Sequence, residues 1–497
     1  MKNVTQTLRR WEIPGELIFP SLIFSILIIP VMLLLGITIG ILSSVSIAAV
    51  AGTIIVAVIV LLRLDELTVT LIVAAHILVD SYLNFDVYQV AMLMALVLLF
   101  TCYLGRSVDH PWTGPRLIWL WILFLILNIY PTINGGAFGL ANSIAGYLNL
   151  VLSAFIMFWL GNIIAKDTAA VRRVFQLLAV LATLSAIHTI IEATTGRFLL
   201  TSSYNEALLV KYSNFPIIGT GIFRSGSFFG GPNGNAAFLA VNFFLALALF
   251  IENKQMWAKM IYLLEALLIL LALMFTYSTG AWIAVLTGML AFIFLSGRLR
   301  YGVLLLMLIM MLIVLALTVF PSHMAVQLGH ANNQHDLLDH LGTWQTAARV
   351  IQAFPLSGVG LGQSYLVLSN SFLAVTQARL QAEPDNSYLQ WGAIAGIPVM
   401  LIFLLLLGYA FWFSWRNWLT VELRYRCLIG GGIAALITLS INSLFVDGWT
   451  NLSGIEYLGW LIAGVVASPL IDKTTKSTHV RPVPGISYGH SEAGVAL

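Results

Sequence analysis

Runs of about twenty apolar residues recur along nearly the whole of this chain. Hydrocarbon offers no water to an open peptide group, so each such run must close its own backbone hydrogen bonds, and a helix does so within one segment. Composition agrees: 60% of the 497 residues are hydrophobic and only 9% are charged, where a soluble domain carries roughly 25% charge. The expected fold class is all-α, a polytopic transmembrane helical bundle of about 14 spans. The spans fall near 17–36, 39–62, 67–83, 87–105, 116–131, 140–164, 174–192, 236–251, 260–276, 279–296, 301–320, 391–413, 427–446 and 455–470.

Charge placement supports that count. Of the 24 Lys and Arg residues, 19 fall in segments that alternate crossing assigns to one face, from Lys2, Arg9 and Arg10 to Lys473, Lys476 and Arg481. Basic residues are normally retained on the cytoplasmic side, so both termini are expected there and the protein in the inner (cytoplasmic) membrane. Arg197, Lys211, Arg224, Arg349 and Arg379 break the pattern. All five lie in two long outer loops, 193–235 and 321–390, which suggests that an anionic ligand is handled at the outer surface. Arg9 and Arg10 precede an apolar run with no small-residue cleavage site, so that run reads as an uncleaved first span. Cys102 and Cys427 both sit at cytoplasmic helix ends and read as apolar filler. Residues 1–192 form an expected N-terminal transmembrane bundle, 193–470 a second transmembrane region carrying both long loops, and 471–497 a polar cytoplasmic tail.

The first long loop ends in Arg224-Ser225-Gly226-Ser227-Phe228-Phe229-Gly230-Gly231-Pro232-Asn233-Gly234-Asn235, immediately before a span. Glycines permit close approach of a ligand, and the helix N-terminus that follows favours an anion. Arg224 adds a bidentate donor. The competing structural reading is a re-entrant turn capped by Asn, with Arg224 reaching to lipid headgroups.

The second loop carries an amphipathic pattern from Leu341 to Phe354 ended by Pro355, then Ser357-Gly358-Val359-Gly360-Leu361-Gly362. It closes on Glu383-Pro384-Asp385-Asn386-Ser387-Tyr388. Asp385, at the water–lipid boundary, is a candidate base, and Asp-Asn ahead of a helix is equally an N-cap. His340 is a second candidate base, its unperturbed pKa of about 6.5 suiting the role. Within the spans Glu265 is a functional candidate, since a mid-membrane acid is costly. His76, His188 and Glu192, nearer helix ends, read as packing or interfacial residues. His323, His330, His335 and His340 fit no zinc spacing. No P-loop, GxSxG or HExxH occurs.

Taken in order, several pieces resemble the O-antigen ligase and polymerase superfamily of bacterial envelope glycan assembly. They are Arg224-Ser-Gly-Ser-Phe-Phe with Pro232-Asn233, Tyr277-Ser278-Thr279-Gly280-Ala281-Trp282, Trp344 through Pro355-Leu356-Ser357-Gly358-Val359-Gly360-Leu361-Gly362, Asp385-Asn386-Ser387-Tyr388-Leu389-Gln390, and Gly396. The resemblance spans roughly residues 190–410, and the N-terminal half agrees in hydropathy alone. It implies a fold similar to the helical class of lipid-dependent glycosyltransferases, with short amphipathic helices in the long external loop. It also implies transfer of a glycan from a polyprenyl diphosphate carrier to an acceptor hydroxyl outside the cytoplasmic membrane, with inversion at the anomeric carbon. Neither a cofactor nor a metal is implied. The implied partners are the lipid-linked oligosaccharide, membrane lipids, a flippase and a chain-length regulator, with no nucleic acid.

Carried onto this chain, that chemistry makes Arg224 the first stabiliser of the diphosphate, Asp385 the base or acceptor-orienting group, and His340 the second candidate base. Arg349, Arg379, Lys211 and Asn233 would help bind substrate, and Asn386 and Tyr388 would position sugar hydroxyls. Three positions depart from the family pattern: Asp385 where ligases usually have His, Thr279 where Arg is frequent, and His340 where Arg is common. The first favours a polymerase joining repeat units over a ligase. A transporter of a small anion such as bicarbonate is the alternative of another class, and an export scaffold is a third.

Overall fold

The computed structural model describes residues 65–79, 117–134, 140–195, 224–229, 231–296, 334–361, 385–450 and 454–469, with five isolated positions besides. Among the described residues every element is helical. In chain order they are α1 (Asp65–Val79), α2 (Ile118–Leu127), α3 (Ile129–Ile133), α4 (Leu140–Gly146), which passes through one π-helical turn into α5 (Ser153–Ile164), and α6 (Thr168–Thr195). There follow α7 (Pro232–Glu252), α8 (Met256–Met274), α9 (Thr279–Ser296), α10 (Gln334–Ala353), α11 (Ser387–Thr420), α12 (Arg426–Asn442) and α13 (Ile455–Val466).

Six of these helices are long and apolar enough to cross a membrane: Leu140–Ile164, α6, α7, α8, α9 and α11. Each coincides with a span expected from hydropathy. Ile118–Ile133, α12 and α13 are shorter apolar helices at three further expected spans. The spans expected at 17–36, 39–62, 87–105 and 301–320, and the tail 471–497, lie outside the described residues save for four isolated positions.

The bundle is built around α7. A helix apolar on every side is stable only when covered on every side. Nineteen of the 21 residues of α7 are buried, all but Asn233 and Phe250. Its neighbours are α6, α8, α9 and α12. Close approach is made through small residues, as expected where helices cannot rely on expulsion of water. A Cβ added at Gly431 of α12 would stand 2.4 Å from the Ala248 Cβ. At the second major contact, α5 meets α13 through Gly161 and Gly464. There Asn162 Nδ2 donates to Gly464 O at 3.0 Å and Ser468 Oγ donates to Asn162 O at 2.7 Å. Helices from both sides of position 192 therefore share one core.

Charge sorts the helix ends. Lys166, Arg172, Arg173, Lys254, Arg416, Arg424 and Arg426 gather at one end of the bundle, with Glu66 and Glu252 as partners. Arg172 pairs with the buried Glu252, Arg173 with Glu66 at 2.7 Å, and Lys166 with Asp65 at 2.8 Å. Cys427, buried at that same end, directs its thiol to Ser296 O. The opposite end carries the start of α7, the turn between α8 and α9, the start of α11 and the connection from α12 to α13.

α11 breaks within its length. Gly396 adopts φ 87° and ψ 169°, and Pro398 lies two residues on. Pro398 has no N–H to give Ile394 O, and Ile397 N donates instead to Pro355 O at 2.8 Å, leaving Ala393 O without its helical donor. The segment after α10 repairs both losses: Val359 N donates to Ala393 O at 2.9 Å and Gly360 N to Ile394 O at 2.9 Å. Gly358 sits at φ 61° with its Cα so close that a Cβ would lie 2.3 Å from the Ile394 carbonyl carbon. Leu361 N then donates to Pro131 O at 3.1 Å.

Packing of this kind is open to test by paired substitutions. In Gly464→Ala the added methyl would stand 2.1 Å from Phe158 O, and a loss of roughly 1–3 kcal/mol is expected. Gly408→Ala in α11 meets nothing within 4 Å and should be neutral or stabilising by up to about 1 kcal/mol. Thermal unfolding of the detergent-solubilised protein measures both.

Candidate functional site

The Arg224 turn caps the end of α8 and reaches the start of α7. α8 ends in tightened turns, and Ser225 N donates to its trailing carbonyl Phe275 O at 3.2 Å. Arg224 Nε donates to Thr276 O at 2.9 Å, and Arg224 Nη2 donates to Asn233 Oδ1 at 2.8 Å. A cation at a helix C-terminus offsets its partial negative charge. These two bonds also fix the plane of the guanidinium above the start of α7, where Gly231 is the N-cap, Pro232 follows, and no side chain caps the first amides. Arg224 remains half-buried, held by protein groups.

Behind that turn lies a buried polar cluster. Ser185, His188, Thr189 and Glu192 recur on one face of α6 and meet Ser225, Ser227 and Asn235. The carboxylate oxygen Glu192 Oε2 accepts from Ser225 Oγ at 2.7 Å and from Ser227 N at 3.2 Å. His188 Nδ1 lies 3.2 Å from Ser227 Oγ and 3.7 Å from Glu192 Oε1, and its ring packs on Phe228 with centroids 4.4 Å apart. Asn235 bridges the cluster to α7, donating to Thr189 Oγ1 at 2.8 Å and accepting from Ser185 Oγ at 3.1 Å. His188 and Glu192, read from sequence as packing residues, thus support the candidate site. The signal was present in their spacing with Ser185 and Thr189, a polar stripe on an otherwise apolar helix.

The second half of the site joins α10 to α11. α10 starts at Gln334, earlier than the apolar periodicity from Leu341 indicated, and ends at Ala353 just ahead of Pro355. It carries His340 to Asp385: His340 Nδ1 and Asp385 Oδ2 are 3.8 Å apart, with both side chains partly exposed. Asn386 is the N-cap of α11, its Oδ1 accepting from Tyr388 N at 3.0 Å and Leu389 N at 3.1 Å. Its Nδ2 donates to Leu444 O at 3.3 Å. Tyr388 OH donates to Ser440 O at 2.7 Å. Both side chains expected to meet sugar are therefore engaged with the protein itself. Arg349 is exposed, about two and a half turns beyond His340 and hence on the other side of α10. Lys211, Arg379, Arg197 and Gly362 lie outside the described residues, as do His323 and His330.

The two halves share the connection after α12. Asn386 contacts Leu444, and a Cβ on Gly280, beside the Thr276-Tyr277 turn, would lie 2.8 Å from the Phe445 Cβ. Strain concentrates here as well. Four non-glycine residues among those described have positive φ, and three are Ser227 (48°), Tyr277 (52°) and Asp385 (47°). Such conformations cost on the order of 1–3 kcal/mol each and persist where surrounding structure enforces them. Tyr277 is buried, which pushes its phenol above the ordinary range and keeps it neutral.

Glu265 sits midway along α8, buried, and its Oε2 has no hydrogen-bond partner among the described residues. Among those residues no group of three His, Cys, Asp or Glu could hold a metal ion.

Fold and site together define a multi-pass helical membrane protein with a polar, strained centre at one end of its bundle. A family model described as O-antigen ligase matches residues 264–404. The match supports the O-antigen ligase/polymerase superfamily and indicates membrane glycan transfer of that type. It runs from the middle of α8 through α9, α10 and the interlocked break of α11, and includes Tyr277, His340, Asp385 and Gly396; Arg224 and Asn233 precede it. No curated protein matches the chain.

The cap gives a direct test of the α11 half. Asn386→Ala removes the acceptor for two amides and should lower stability by about 1 kcal/mol. Asn386→Asp restores the acceptor and should recover most of that loss in the same unfolding measurement.

Proposed function

We propose that this protein transfers a glycan from a polyprenyl diphosphate carrier to a sugar hydroxyl at the outer face of the cytoplasmic membrane, and that it polymerises surface polysaccharide repeat units. The observation that carries this reading is the convergence of Arg224 on the uncapped start of α7, beside a turn held in strained backbone. When the acceptor oxygen attacks the anomeric carbon and the carbon–oxygen bond to the carrier breaks, negative charge develops on the departing diphosphate. Preorganised donors aimed at developing charge make the largest single contribution in catalysis of this kind. Arg224 and the first amides of α7 are such donors, with Arg379, Arg349 and Lys211 as helpers from the long loops. The acceptor's proton passes to the Asp385–His340 pair, where a carboxylate 3.8 Å from an imidazole can orient and stabilise it. No step requires a metal or a nucleotide sugar.

Attachment of finished glycan to a lipid anchor is a second reading, favoured by the ligase description of the matching family model. Transport of a small anion has Glu265 as its best single support, a buried acid at mid-span.

A deletion strain, complemented with variants at equal protein level and with surface glycan resolved by size, separates these. Polymerisation is supported if the deletion and Arg224→Ala both leave single repeat units, with Arg224→Ala reducing long polymer by about 100-fold or more, and Glu265→Gln leaves polymer intact. Long polymer that accumulates on its carrier identifies the ligase. Unchanged glycan with altered solute uptake, lost also in Glu265→Gln, identifies the transporter.

A further inference from the structure

We infer that Glu192 is a positioning residue for the transfer reaction, its buried carboxylate holding the Ser225–Ser227 turn so that the Arg224 guanidinium stays aimed above the start of α7. The inference deepens the transfer reading and rests on Arg224 having the role given to it there.

Glu192 is an unusual residue for its place. It lies near the end of a long apolar helix and is 1% exposed, where a carboxylate is retained only if its oxygens are bonded. Both of its oxygens reach toward the Ser225–Ser227 turn. Oε2 accepts from the Ser225 hydroxyl and the Ser227 amide, the two donors that flank Gly226. Oε1 faces His188, which in turn contacts Ser227 Oγ and covers Phe228. Ser227 is held at φ 48°, a conformation that needs enforcement from outside the turn, and Glu192 supplies it through the Ser227 amide. Gly226 has no room for a side chain, since a Cβ there would lie 2.9 Å from Gly231 N. The turn is thus pinned to α6 on one side and to the start of α7 on the other. Arg224 is the residue immediately before the pinned hydroxyl, so displacement of Ser225 moves the guanidinium directly. Misplacement of a reacting group by about 1 Å can cost on the order of 100-fold in rate.

Glu192 touches no substrate in this account, and its effect must run entirely through Arg224. Coupling between the two residues is therefore the diagnostic quantity, since substitutions that act through one shared group are not additive. The experiment uses the purified full chain in detergent with a polyprenyl-diphosphate-linked repeat unit, comparing wild type, Arg224→Ala, Glu192→Leu and the double variant. Glu192→Leu removes both acceptor oxygens at similar volume and is expected to lose about 10-fold or more in rate. Added to Arg224→Ala it should cost no more than about two-fold further. Ser225→Ala, which deletes only the hydroxyl donor, should lose several-fold and show the same coupling, and it serves if Glu192→Leu does not fold. Wild-type activity in Glu192→Leu, or a full second loss in the double variant, overturns the positioning role while leaving that of Arg224 intact. Unimpaired transfer by Arg224→Ala overturns the transfer reading, and this inference with it.

Discussion

A peptide group without a partner costs several kcal/mol in an apolar surround, and that single constraint organises this molecule. Regular helix meets it without help. Each departure from regular helix has to be met by a specific neighbour, and at two places the neighbours are segments that carry the candidate chemistry. At Gly396 to Pro398 the carbonyls of Ala393 and Ile394 lose their donors, and Val359 and Gly360 replace them. At the end of α8 the carbonyls of Phe275 and Thr276 are taken by the Ser225 amide and by Arg224.

The same bonds that repair the backbone also place the site. Pro355 to Leu361 fastens the end of α10 to the break in α11, and α10 in turn brings His340 beside Asp385. Arg224 closes the end of α8 and reaches the start of α7 in one gesture, with Glu192 bracing it from α6. Stability and function are consequently coupled at these positions. The positive φ values at Ser227, Tyr277 and Asp385 are the visible cost of holding side chains where unstrained turns would not put them.

Much of this was legible in the sequence. Apolar runs located the six long helices, because burial in lipid imposes a length that tertiary context does not override. Pro355 marked the end of α10 within two residues, and the odd placement of Arg224 drew attention to a residue that the structure bonds both to the end of α8 and to Asn233. What composition and periodicity could not supply was pairing across distance. His340 and Asp385 each read as a candidate base, and only the interlock after α10 brings them together. Asn386 and Tyr388 looked available to a sugar because residue type does not reveal that a cap and an α12 carbonyl already claim them. Glu192 read as an interfacial acid because its partners lie 33 and 35 positions away. The start of α10 was read too late because Gln334 to His340 is polar and lacks the apolar rhythm that marks the remainder.

We propose that Arg224 and the start of α7 stabilise a departing diphosphate. The most direct test is chemical: purified protein given a polyprenyl-diphosphate-linked glycan and a sugar acceptor, with released polyprenyl diphosphate and extended glycan quantified together. The account requires the two products to appear in equal amounts with wild type and to fall together in Arg224→Ala. Glycan extension that leaves the carrier diphosphate unreleased, or equal release by wild type and Arg224→Ala, would contradict it.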